Sequence, residues 1–169
     1  LCEQMTDTYG AYHLQTLDCL RQKASILSYE GKLDESEGIY LEAVERMADS
    51  FPGLDPFAID VLSQLAEIYR EQGRYEEAKS LLSGLVSAGF QMGDAEVAFN
   101  AQSYLARVFN NESDYERAEA LTTEVLQFGR VNWVNNRANL YSTMLELGSI
   151  YQHLGKLPDA EVVLMEALE

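Results

Sequence analysis

Apolar residues recur along this chain with the period of a helix, and the pattern comes in pairs. In the stretch 56–72, Leu62, Leu65, Ala66 and Tyr69 stand at offsets i, i+3, i+4 and i+7, the stripe of an amphipathic helix. Gly73 interrupts the stripe, and a second one opens at Tyr75 and Ala78. The same phrase returns with Leu147, Gly148, Tyr151, Gly155, Leu157 and Ala160, and again with Leu105, Ala106, Phe109, Tyr115 and Ala118, where Ser113 replaces the glycine. A weaker copy holds Ala24, Leu27, Gly31 and Leu33, with Lys23 in a leucine place and Ser36 in an alanine place. The interrupting residues are 31, 73, 113 and 155, spaced by 42, 40 and 42. An internal period of that length decides the architecture before any single motif does.

Each repeat predicts a helix hairpin. Glycine tolerates the positive φ at a helix C-terminus, so the marker residue ends the first helix. The second helix follows at once. Ser113 and Glu116 read as a capping box opening it in the third repeat. Pro158 suits a first turn, where a missing N–H costs little. The predicted helix pairs are 12–29 with 33–49, 56–72 with 75–88, 94–111 with 115–128, and 133–153 with 157–168. The stretches 49–56, 88–94 and 128–133 read as loops, with Asp55 and Asp94 as N-caps and Pro56 at a first helical position. Trp133, in the last of them, would either staple the third repeat to the fourth or face a partner. The small residues Ala66, Ala106 and Gly148, and Ala78, Ala118 and Ala160, let paired helices approach closely, and Tyr69, Phe109 and Tyr151 fill the space between hairpins. One hairpin cannot bury its stripe alone, whereas four stacked ones can. The expected fold is all-α, an α–α superhelix of four helix hairpins in one domain, residues 1–169, with repeats near 9–50, 51–89, 90–129 and 130–169.

Composition narrows the partner. The 169 residues carry a net charge of −16, which argues against nucleic acid and against anionic membrane surfaces and would attract a basic partner. No apolar run approaches the roughly 18 residues of a membrane span. The start lacks a signal-peptide pattern and an initiator methionine, and the end stops inside a helical pattern, so the chain reads as an excerpt of a longer multidomain protein. Cys2 and Cys19 make neither a disulfide framework nor a zinc spacing; Cys19 reads as a small buried apolar residue, and the setting as intracellular and cytoplasmic. His13 and His153 are isolated, no phosphate loop or nucleophile elbow occurs, and no catalytic residue, metal or cofactor is expected.

The phrase resembles the tetratricopeptide repeat, carried by Leu65-Ala66, Tyr69, Gly73, Tyr75, Ala78 and by Leu147-Gly148, Tyr151, Gly155, Ala160. The usual repeat has about 34 residues. The longer repeats here are similar to those of kinesin light chain, nephrocystin-like proteins and the repeat tails of NOD-like NTPases, through 9–20 and 51–82. The resemblance implies a non-enzymatic scaffold for protein partners, whose first helices line a concave groove for a peptide or helix. The alternative is a self-associating array or a regulatory sensor arm of a larger NTPase; the oligomeric state stays open. By register, Asp18, Arg21, Asp60, Ser63, Glu67, Ser149 and His153 fall on the groove face. The groove candidates singled out are Arg70, Asn100, Tyr104, Arg107, Asn110, Asn111 and Glu146. Asparagines at successive turns can bond the backbone of an extended peptide, and an arginine can hold a carboxylate bidentately. The acidic excess, including Glu37, Glu119 and Glu124, is expected on the second helices, away from the groove.

Overall fold

A computed structural model of the chain describes residues 2–50, 56–133 and 137–168, with side chains at all of them except 49 and 50. The described residues form helices and turns and no strand. After α1 (Cys2–Tyr9) come the pairs α2 (Leu14–Tyr29) and α3 (Leu33–Ser50), α4 (Pro56–Glu71) and α5 (Tyr75–Met92), α6 (Ala95–Asn111) and α7 (Tyr115–Asn132), and α8 (Arg137–His153) and α9 (Leu157–Glu166). The chain divides into two compact units, Leu1–Leu81 and Leu82–Glu169.

The four markers do what their register demands. Gly31, Gly73 and Gly155 sit at φ 75°, 75° and 71°, and Ser113 at 64°. At each, the following N–H donates five residues back, as in Lys32 to Leu27 O (2.9 Å), Arg74 to Tyr69 O (2.8 Å), Asp114 to Phe109 O (2.9 Å) and Lys156 to Tyr151 O (2.8 Å). That is a Schellman turn, which satisfies orphan carbonyls of the first helix while reversing the chain.

In the first unit one core joins α2, α3 and α4: Leu17, Leu20 and Ala24, then Tyr40, Ala43 and Met47, then Ala58, Val61, Leu65 and Ile68. Ser36 shows how the weakest repeat keeps the packing. It is fully buried in an alanine place, and its hydroxyl donates to Ala24 O at 2.8 Å, so the polar atom is paired. In the second unit Leu126, Met144, Leu147 and Val163 pack together, with Leu140, Tyr151 and Leu164 against them. Ala106, Ala118 and Ala160 are buried at the helix crossings. At Gly148 a Cβ would lie 2.6 Å from Leu164 Cδ2.

Several expectations are corrected. Helix α1 was not predicted, and the two cysteines are joined: a Cys2–Cys19 disulfide, Cα–Cα 5.6 Å, ties α1 to α2, so Cys19 is a half-buried bridge and not a buried free thiol. The stretches 88–92 and 128–132 are helical, not loops. Gly89 and Gly129 are tolerated in them because a Cβ would meet the Ala98 backbone N at 2.6 Å or the Trp133 ring at 2.5 Å. Trp133 therefore caps α7, buried against Gly129 and edge-on to Phe128 at 5.8 Å. The cap of α7 is Asp114, accepting from Arg117 N at 3.2 Å, because Ser113 is the left-handed turn residue itself and cannot also hold an extended N-cap. Asp94 caps α6 as expected, accepting from Val97 N at 3.1 Å, and Pro158 lies at the start of α9. Asp55 lies outside the described residues.

Candidate functional site: the first-helix faces

In the first unit the face is built on α2 and α4. Arg21 donates to Asp18 at 2.7 Å and reaches Asp60, on the neighbouring hairpin, at 3.2 Å. Gln22 Nε2 donates to the other Asp18 oxygen at 2.7 Å. The bond to Asp18 is the main reason the Arg21 pKa rises above its ordinary value. Arg70, at the end of α4, bonds Glu67 at 3.0 Å and Glu71 at 3.4 Å, with both Arg70 and Glu67 only 13% exposed. Ser63, expected on this face, is buried instead and presents no open hydroxyl.

In the second unit the face is built on α6 and α8. Asn110 and Glu146 are brought together across the hairpins, the Asn110 amide donating to Glu146 Oε1 at 2.6 Å. The Arg107 guanidinium lies over the Tyr104 ring, 5.9 Å from its centroid. Asn100 is half-buried on the same helix, its carbonyl accepting from Ser103 Oγ at 2.7 Å. Asn111 is exposed in the last turn of α6. His153 turns to the hairpin end, where its ring stacks on Tyr115 at 4.6 Å. Four of the seven candidates, Tyr104 with Arg107 and Asn110 with Glu146, thus form two contacts on one pair of helices.

Register reasoning missed a joint between successive hairpins. Glu37 accepts from Arg74 Nη1 at 2.7 Å and from Gln72 at 2.9 Å. The Arg74 bond, first among the causes, holds the Glu37 carboxyl below its ordinary range. Arg74 also covers the Tyr69 ring at 4.3 Å. In the second unit Lys156 donates to both Glu119 oxygens at 2.6 Å and lies 5.8 Å from the Tyr151 ring centroid. Where Asp114 replaces the basic residue after the marker, Arg117 covers Phe109 instead, at 4.5 Å. Glu124 accepts from the buried Gln102 at 2.6 Å. So Glu37, Glu119 and Glu124, expected to be merely solvated, tie helices together. The available signal was an acid six residues after one marker and a base one residue after the next.

No helix among the described residues is long and apolar enough to cross a membrane. Residues 18–88 match the model of the tetratricopeptide repeat family. No curated protein matches the chain. Among solved structures it is similar to TPR-like repeats assigned to a kinesin light chain of Podosopora anserina. A point variant of those repeats gives TM-score 0.75 at 19% identity, covering 98% of this chain and 79% of that one. Their other crystal structure gives 0.72 at 19%, covering 98% and 80%. BtubC (BKLC) from P. vanneervenii gives 0.77 at 17%, covering 90% of this chain and 61% of that one. Residues 18–88 thus match the tetratricopeptide repeat family, and nearly the whole chain shares the all-α superhelical fold of the TPR-like repeats assigned to a kinesin light chain.

Proposed function

We propose that the chain is a protein–protein interaction scaffold without catalytic activity, and that the first-helix faces bind a peptide or helix of a partner. The observation that carries this is the α6–α8 face. There Asn110 is held by Glu146 and Arg107 lies over Tyr104, so polar and aromatic groups stand fixed on rigid helices before any ligand arrives. Groups fixed in advance lose little conformational freedom on binding. Asn100 and Asn111 supply amides for a peptide backbone, Arg107 a fork for a carboxylate, and Tyr104 an aromatic anchor. Arg70 extends the same role to the α2–α4 face. The reading requires no cofactor or metal, and its partner is a protein, not nucleic acid or a membrane. It takes the four repeats as one domain working in the cytoplasm, where a Cys2–Cys19 disulfide would form transiently.

A peptide display library tests it. The chain should enrich one class of sequence that the Asn100→Ala/Arg107→Ala/Asn111→Ala variant fails to retrieve. Identical enrichment by both proteins, or none by either, rejects these faces as the binding site.

A further inference from the structure

The first-helix faces of the two units differ in charge at equivalent positions. The positions thirteen and two residues before a marker lie near the two ends of each first helix. With Gly31 and Gly73 as markers they are Asp18 and Tyr29 on α2, and Asp60 and Glu71 on α4. With Ser113 and Gly155 they are Asn100 and Asn111 on α6, and Ser142 and His153 on α8. The acids at these positions thus belong to α2 and α4 and do not follow from the charge of the chain as a whole. They are also only partly compensated. Arg21 serves two anions, Asp18 at 2.7 Å and Asp60 at 3.2 Å. It meets one Asp60 oxygen; the other has no hydrogen-bond or ion-pair partner among the described residues, and the side chain is 45% exposed. Glu71 has Arg70 at 3.4 Å, but Arg70 lies closer to Glu67, at 3.0 Å. The Tyr40 hydroxyl, buried in the core that α2, α3 and α4 share, feels the result. After burial itself, the Asp60 charge does most to raise its pKa, ahead of the opposing Arg21 charge. Tyr29, in the same row as Glu71, is 91% exposed. An open aromatic ring and a carboxylate in one row both attract a cation.

We propose that the peptide bound by the first-helix faces is basic where it meets α2 and α4. One lysine or arginine takes the open oxygen of Asp60, and a second sits at the Tyr29–Glu71 row. Residues 60 and 71 lie about 16 Å apart along α4, a span that an extended peptide covers in about five residues. The partner is therefore a protein segment with two basic residues at about that spacing. The net charge of −16 favours its approach from a distance, and the two seats decide where it settles. This assignment rests on the reading that the first-helix faces bind a peptide, and it adds the chemistry of that peptide.

The probe is the class of peptide that a random display library yields on the full chain, made synthetically with a label and titrated by fluorescence anisotropy. Its members should carry two basic residues about five apart. Asp60→Asn/Glu71→Gln should weaken binding about ten-fold, the combined worth of two exposed ion pairs, and Tyr29→Ala about three-fold. Glu45→Gln/Glu161→Gln makes the same change in net charge at two exposed acids of second helices and should leave binding unchanged. A chain with Asp60→Lys/Glu71→Lys should select peptides that carry acids in place of the two bases. These side chains are well exposed, so the variants should keep the parent's helical circular dichroism. A selected class without the basic pair, or one indifferent to Asp60→Asn/Glu71→Gln, overturns the proposal. If the Asn100→Ala/Arg107→Ala/Asn111→Ala variant still fails to retrieve that class, peptide binding by the first-helix faces stands without it. Equal weakening by Glu45→Gln/Glu161→Gln reduces the effect to net charge and also overturns the proposal. If the chain enriches no peptide at all, both fall.

Discussion

Among the described residues Ser113 is the one non-glycine residue with a left-handed backbone, at φ 64°, in a turn where its three counterparts are glycine. An L-residue in that region carries a penalty of about 1–2 kcal/mol from Cβ against the following carbonyl. Ser113→Gly removes it, but glycine adds unfolded-chain entropy that opposes by about 0.4–1 kcal/mol. The Tyr115 hydroxyl bond to Ser113 Oγ is long, 3.3 Å, and exposed, so its loss matters little. The net expectation is a gain of roughly 0.5–1 kcal/mol, or about 1–4 °C in Tm for a chain of this size. The reverse change, Gly73→Ser, tests the same physics with opposite sign. Gly73 sits at φ 75° with nothing within 4 Å of an added Cβ, so the cost there is backbone conformation alone. Thermal and urea unfolding followed by far-ultraviolet circular dichroism measure both. Ser113→Gly should rise and Gly73→Ser should fall by a similar amount. A neutral or destabilised Ser113→Gly, together with an unharmed Gly73→Ser, would refute the reading of these positions as the left-handed hinge of every hairpin.

The Glu37–Arg74 joint is pH-dependent. Because the folded carboxyl has the lower pKa, its contribution is complete above the unfolded value of about 4.3 and is lost as pH falls through the folded value. Glu37→Gln should cost about 1 kcal/mol at pH 7 and converge with the parent as pH falls below the folded value; curves that stay parallel in urea titrations would reject the joint. Tyr40 acts at the alkaline end, since burial first and then the Asp60 charge push its hydroxyl up to about 12. Between roughly pH 10 and that value the unfolded chain loses its proton first, so stability should fall by up to about 3 kcal/mol, and Tyr40→Phe should flatten that slope in urea midpoints taken from pH 9 upward. The Cys2–Cys19 bridge closes a separation of 17 residues, and a loop of that length is worth about 3 kcal/mol through the unfolded chain. Cys2→Ser should therefore lower the urea midpoint, and added dithiothreitol should lower the parent to match while leaving the variant unmoved.

What was legible in the sequence is what local backbone chemistry forces. A left-handed turn wants glycine, so residues 31, 73 and 155 announced the hairpins, and the fixed spacing carried the inference to Ser113. The same rule misled at Gly89 and Gly129, where glycine serves close packing against Ala98 and Trp133 inside helices that continue past it. The serine-x-x-glutamate pattern at 113–116 imitated a capping box, because a capping serine and a turn serine look alike until φ is known. Helix α1 buries no residue and so wrote no stripe; a bridge between two cysteines decides its place. On the faces, register placed Asn110 and Glu146 on first helices, but their meeting depends on the crossing of α6 and α8, 36 residues apart. The joints could have been found by pairing positions relative to successive markers, because Glu37 with Arg74 and Glu119 with Lys156 repeat one offset.

Amide hydrogen exchange on the full chain, with and without a peptide enriched from the library, tests most directly whether the first-helix faces carry binding. The expected result is slowed exchange in α6 and α8 that disappears in the Asn100→Ala/Arg107→Ala/Asn111→Ala variant, with α7 and α9 unchanged. Slowing confined to α7 and α9, or undiminished slowing in the variant, would contradict the assignment of the binding face.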